Sequence, residues 1–265
     1  MLVPASMFGI ILNFHSSNHP TTLPNILSST LATIAYVWVH LLFFCISNQR
    51  RPVSIEEDRV NKPWRPLPSK RLSVEAAEIL LRVMQCSALL LAWSLGSLGP
   101  SMGAMVLTYM YNDLGLGDTS FFARNLINGL GYMAFNLGAA TVACQGVSMD
   151  DFTWTAILGL VVLCSIHSLD LSDQVGDAVN NRNTLPLILG DGLCRVTIAA
   201  AVLVSSIACP AFCQVNEWGY GMCGVMAAVV CGYLWSERGS EGKKAGRSYM
   251  LWLLALYFLP LFPRL

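Results

Sequence analysis

Charge is scarce in this sequence. Asp, Glu, Lys and Arg make up 12% of its 265 residues, against about a quarter in a soluble domain, so a fold built only against water is excluded. Sixteen acidic and sixteen basic residues cancel, which leaves no global field to hold nucleic acid. Strict alternation of apolar and polar residues is missing, and with it the signature of a transmembrane β-barrel. None of the nine cysteines (Cys45, Cys86, Cys144, Cys164, Cys194, Cys209, Cys213, Cys223 and Cys231) stands in a C-x-x-C pair. Most lie inside apolar runs, and Cys209 and Cys213 share one helix at i, i+4. They read as small apolar side chains, not as a disulfide framework or a zinc site.

Long apolar runs are what the sequence has in abundance. Hydrophobic residues reach 54%, with a mean hydropathy of +0.54, and several runs approach the roughly 20 residues that cross a bilayer as helix. Spans are expected at 26–47, 74–97, 101–112, 121–146, 152–171, 191–212, 218–236 and 247–262. Residues 3–13 form a further run too short to cross, either a truncated first helix or an interfacial segment. No basic residue precedes it, which disfavours a signal peptide. A polar turn follows from His15 to Pro24. The expected fold is an all-α, polytopic membrane bundle of eight to nine helices, forming a single domain over 1–265.

Polarity concentrates in Asn48–Ser73, which holds seven basic residues, three acidic ones and four prolines. The prolines exclude one continuous helix and leave an ordered loop with a helical turn at Ile55–Val60. Thirteen of the sixteen Lys and Arg fall in this loop, at Arg182 and Arg195, or in the loop at 237–247. With the expected spans all three regions share one face, which the positive-inside rule puts in the cytosol. There is also an internal echo. Asn48 ends a span and Arg65-Pro-Leu-Pro68 follows; Asp170 ends another and Thr184-Leu-Pro-Leu187 follows. Two pseudo-repeated four-helix halves around a central cavity, each presenting a polar loop on the same face, account for the echo.

The second loop carries Asp170, Asp173 and Asp177, a spacing that places three carboxylates on one face of a continuous helix. Unpaired at a membrane boundary, they are costly to desolvate. A hard divalent cation such as Mg²⁺ is the simplest compensation. Arg182 follows these acids. In the first loop Asn48, Glu56, Glu57 and Asp58 are followed by Arg59, Lys62 and Arg65. Acids with metal hold the bridging oxygens of a polyphosphate, and Arg59, Lys62, Arg65 and Arg182 would hold its outer oxygens. A lipid tail on that substrate would descend between the helices.

Within the spans, Asn125 and Asn128 are read as lining the cavity, and Asn136 as joining helices. Tyr109, Phe122 and Tyr132 are candidates to face positive charge there. His167 reads as a packed or capping residue, and Asn112, Asp113 and Asp118 as an ordinary solvated loop.

At these motifs the sequence resembles the UbiA superfamily of intramembrane prenyltransferases, whose members carry an Asn/Asp-rich motif after the second helix and an Asp-rich motif after the sixth. The first corresponds to Asn48 through Glu56, followed by Arg65-Pro-Leu-Pro-Ser69. The second is Asp170-x-x-Asp173-x-x-x-Asp177, followed by Arg182-Asn-Thr-Leu-Pro186. Glu56 through Ser69 and Asp173-Gln-Val-Gly-Asp177 look like the fungal membrane-bound terpene cyclases of that superfamily.

The resemblance implies two or more Mg²⁺ ions held by Asn48, Glu56, Asp58, Asp170, Asp173 and Asp177. It implies ionisation of farnesyl or geranylgeranyl diphosphate and cyclisation within the bilayer. Transfer of the prenyl group to an aromatic or lipid acceptor is the alternative, and an inactive membrane scaffold a third reading. The class implies the endoplasmic reticulum, with the mouth toward the cytosol. Two departures stand out: Gln49 and Pro52 replace acids of the first motif, and Lys70 stands where a glycine is common.

Overall fold

A computed structural model of the chain describes residues 2–15, 23–237 and 242–263, and every regular element among them is helical. In chain order these are α1 (Leu2–His15), α2 (Leu23–Gln49), α3 (Pro52–Asn61), α4 (Val74–Ser94), α5 (Leu98–Asn112), α6 (Leu116–Thr119), α7 (Phe121–Cys144) and α8 (Met149–Ser165). After α8 the chain runs through two 3-10 turns, Ile166–Ser168 and Asp170–Ser172. It continues as α9 (Gln174–Val179), α10 (Leu185–Leu189), α11 (Asp191–Phe212), α12 (Glu217–Ser236) and α13 (Lys243–Tyr257). Most of the expected His15–Pro24 turn, and 238–241 of the basic 237–247 loop, lie outside the described residues.

Six of the described helices are long and apolar enough to cross a bilayer: α2, α4, α7, α8 with its 3-10 extension, α11 and α12. The eight to nine spans expected from the sequence are not reached by length. Of the remaining helices the three longest, α1, α5 and α13, have 14 to 15 residues each. Element order carries the expected repeat. A span (α2, α8) leads into short helices on a polar connection (α3; α9 and α10), and three helices of 15 or more residues follow in each half (α4, α5 and α7; α11, α12 and α13).

Local chemistry sets the boundaries. Pro52 opens α3, where its missing N–H costs nothing, and Pro63 lies just beyond its end. The short turn expected at Ile55–Val60 is therefore a ten-residue helix. Ser73, Ser120 and Asn216 cap α4, α7 and α12 by accepting backbone N–H groups, and Ser148 forms a capping box with Asp151 on α8. At the other end of α8, Ser165 leaves helical φ (−133°). Its hydroxyl bonds back to Val161 O at 2.6 Å and meets the Tyr249 hydroxyl at 3.0 Å.

Lipid is as apolar as leucine, so these helices are held by close packing and internal hydrogen bonds. A Cβ added at Gly129 would lie 2.6 Å from Gly159 O on α8, and one at Gly138 would lie 2.3 Å from the Tyr36 hydroxyl on α2. Asn136 donates to Tyr257 at 2.9 Å, so it joins helices as the sequence suggested. His40 is locked between Tyr36 O (2.7 Å) and Ser101 Oγ (2.6 Å). The first helix is no interfacial segment: Ala5 and Phe8 are buried, and Phe8 packs edge-on against Tyr257. Leu27, Ile79, Trp93, Val204 and Ile207 face outward, as lipid-contacting residues do.

Candidate active site

The two polar connections meet over one cavity of about 270 Å³. Asn61, at the end of α3, holds them together. Its amide donates to Asp173 O at 3.1 Å and accepts from Gly176 N at 3.2 Å. Gly176 must lack a side chain here, since a Cβ would lie 2.3 Å from Asn61 Nδ2.

Around the mouth, carboxylates and cations alternate across the two halves. Lys62 Nζ lies 2.5 Å from Asp173, and Arg65 Nη1 lies 2.8 Å from both oxygens of buried Asp58. Arg182 Nη1 contacts Glu57 at 2.5 Å and Asp177 at 3.2 Å; its Nε is 2.8 Å from Asp118 but off the hydrogen-bond line. Arg124, from the first turn of α7, donates to Asp170 at 2.7 Å and sits over the Tyr111 ring. Asp58, Asp170, Asp177 and Arg182 are nearly fully desolvated, so removing the partner of any of them leaves an uncompensated buried charge. Burial pushes the Asp177 carboxyl up to about 7, with Arg124 and Arg182 opposing. Burial raises Glu57 as well, against Arg182. Asp177 Oδ2 is buried with no hydrogen-bond partner.

Asp170, Asp173 and Asp177 do not share one helical face. The helix gives way at Ser165, so Asp170 lies in a 3-10 turn, Asp173 precedes α9 and Asp177 is inside it. Nor are they unpaired: Arg124, Lys62 and Arg182 each take one. Asn48, Asp58, Lys62, Arg65, Asn128, Tyr132, Asp170, Asp173 and Arg182 all line the cavity.

Six expected positions stand outside the lining, among them Asp177, which is fully buried beside Arg182. Glu56 and Arg59 pair with each other on the exposed side of α3, where the neighbouring Glu57 turns inward instead. Tyr109 and Phe122 are exposed at 55% and 59%, on outward helix faces. Asn125 is buried against His167, with Nδ2 3.4 Å from Nδ1, and belongs to packing. His167 also meets Thr197 at 3.1 Å, so it is a packed residue as read. The loop read as solvated is tied down: Asp118 pairs with Arg51 and Arg182, and Asp113 with Arg50.

Arg124 is the main residue that sequence reasoning missed. Its signal was available, because a lone arginine inside an apolar run marks a site by default.

Residues 2–256 match the UbiA prenyltransferase family. The chain belongs to that family. Like other UbiA proteins it is an integral membrane protein with several apolar helices. One relative is a somaliensene A/B synthase from Streptomyces somaliensis, 32% identical over 78% of this chain and 67% of its own length. Another is a fumagillin beta-trans-bergamotene synthase from Aspergillus fumigatus, 28% identical over 99% and 95%. The fold matches a UbiA homolog from Archaeoglobus fulgidus solved with GPP and Mg²⁺. The TM-score is 0.62 at 12% identity, covering 98% of this chain and 96% of that one.

The donor set suits a hard cation. Asn48, Glu57, Asp58, Asp170 and Asp173 give the cavity oxygen ligands, with no thiolate or imidazole among them. Asp177 Oδ2 is an oxygen still lacking a partner. No cluster of three acidic, His or Cys groups is in coordinating arrangement among the described residues, because the carboxylates have closed on Lys and Arg.

Proposed function

We propose that this UbiA protein is a Mg²⁺-dependent class I terpene cyclase that ionises farnesyl or geranylgeranyl diphosphate and cyclises it within the bilayer. One observation carries the reading: carboxylates and basic residues from two polar loops meet at the mouth of a single cavity, whose deeper walls are mainly apolar and aromatic. The likeness to the somaliensene and bergamotene synthases supports the cyclisation reading.

Asn48, Asp58, Asp170, Asp173 and Asp177 would hold Mg²⁺, with Glu57 in place of the outward Glu56. When bound, Mg²⁺ would neutralise charge on the departing diphosphate. Lys62, Arg65, Arg124 and Arg182 would bind its outer oxygens by charge-assisted hydrogen bonds. The allylic C–O bond breaks and its electron pair leaves with diphosphate. A double bond of the same chain then attacks the cation, and a proton is lost to diphosphate or a nearby polar group. Leu107, Ile127 and Leu169 would keep water from quenching the cation, and the Tyr132 and Phe135 rings in the lining would stabilise its charge. The excess of Lys and Arg near the mouth supports a cytosolic opening, in the endoplasmic reticulum of a eukaryotic host.

Prenyl transfer to an aromatic or lipid acceptor is the second reading, favoured by the family itself. The test uses membranes containing the folded protein, either diphosphate, Mg²⁺ and no acceptor, with extracts read by gas chromatography and mass spectrometry. A cyclic product that EDTA abolishes is expected. Product only after an acceptor is added would replace cyclisation with transfer.

A further inference from the structure

Helix α7 lines the cavity with Arg124, Ile127, Asn128, Gly131 and Phe135, a spacing that fits one helical face. Gly131 is unlike its packed neighbours. Gly129 and Gly138 lie under the backbone of α8 and the ring of Tyr36, whereas a Cβ at Gly131 would meet no heavy atom within 4 Å. A glycine inside a helix is unfavourable relative to alanine, and no helix contact accounts for this one. What its missing side chain provides is space in the cavity.

Depth follows from helical rise. Gly131 lies about 10 Å below Arg124, and Phe135 about 16 Å below it, at ~1.5 Å per residue. A five-carbon prenyl unit adds four chain bonds, about 5 Å when extended at ordinary bond lengths. Gly131 therefore stands where the second unit of a tail with its diphosphate at Arg124 ends and the third begins, and Phe135 just past the end of the third. Phe135 has firm support: the His40 ring meets it edge-on at 6.5 Å, and Tyr36 O and Ser101 hold that imidazole.

We propose that Gly131 and Phe135 gauge the prenyl tail, with Gly131 admitting units beyond the second and Phe135 stopping the chain after the third. This rests on the prenyl diphosphate reading above and narrows it to a C15 substrate. The gauge is tested by binding, which does not depend on cyclisation. Geranyl, farnesyl and geranylgeranyl S-thiolodiphosphates are titrated by calorimetry, with Mg²⁺, into detergent-purified protein.

Wild type binds the farnesyl analogue most tightly. Gly131→Leu leaves the geranyl analogue within about twofold and weakens the farnesyl one by about tenfold or more, a size-exclusion effect ordinary for a filled apolar pocket. Gly131→Ala falls between. Phe135→Ala, checked for folding by its melting curve, raises geranylgeranyl affinity relative to farnesyl. Wild-type binding with equal losses for all three lengths, or with none, overturns the gauge alone. Failure of wild type to bind any of the three analogues overturns the prenyl diphosphate reading and the gauge with it.

Discussion

Replacing Arg124 by leucine should destabilise the protein strongly. Arg124 and Asp170 side chains are 12% and 6% exposed, and Arg124 is the sole ion-pair partner of Asp170 among the described residues. Removing it leaves a buried carboxylate without compensation, a loss of about 3–5 kcal/mol in comparable cases. At ~2–4 °C per kcal/mol for a chain of this size, melting should fall by roughly 6–20 °C. The measurement is a thermal melt in detergent with EDTA, so that no metal substitutes for the guanidinium. Arg124→Leu, Asp170→Asn and the double variant complete a cycle. The double variant should recover about 2 kcal/mol relative to the sum of the singles. Additive costs, or an Arg124→Leu loss below about 1 kcal/mol, would refute the reasoning.

Glu57→Gln should lower acceptor-free product about tenfold or more, while Glu56→Gln should stay within about twofold, since an exposed pair contributes little; equal losses in product assays would reverse the assignment. Asn61→Ala removes two cross-loop hydrogen bonds and should cost about 1–3 kcal/mol in a melt, and should raise the Mg²⁺ concentration for half-maximal activity; an unchanged Mg²⁺ requirement would reduce Asn61 to a structural contact. Lys70 has φ +60°, so Lys70→Gly should be neutral or stabilising by up to about 1 kcal/mol, and a clear loss in melting temperature would contradict it.

Lys70 also shows how a sequence pattern can precede its cause. A glycine is common at this place in related motifs, and the left-handed backbone supplies the reason. The polytopic helical bundle, the paired loops and their meeting at one mouth were legible because apolar run length and clustered charge are properties of the sequence itself. Helix phase inside the first loop was not. Its prolines suggested a loop, yet Pro52 and Pro63 bracket a helix, and only that register separates inward Glu57 from outward Glu56. The one-face reading of Asp170, Asp173 and Asp177 failed for a tertiary reason: Ser165 departs from helical geometry where it meets Tyr249, which lies 84 positions further on.

The Arg124–Asp170 pair has a consequence for biosynthesis. Forty-six positions separate the two residues, roughly 2–9 s of synthesis at ~5–20 residues per second. During that interval the arginine of α7 is already made and its carboxylate is not. Its place in the first turn of α7 lets the side chain reach the interface while it waits. Cation first and counter-ion second is thus the order in which the ribosome delivers this pair, and a chain arrested between the two exposes a guanidinium that anionic lipid headgroups can take up.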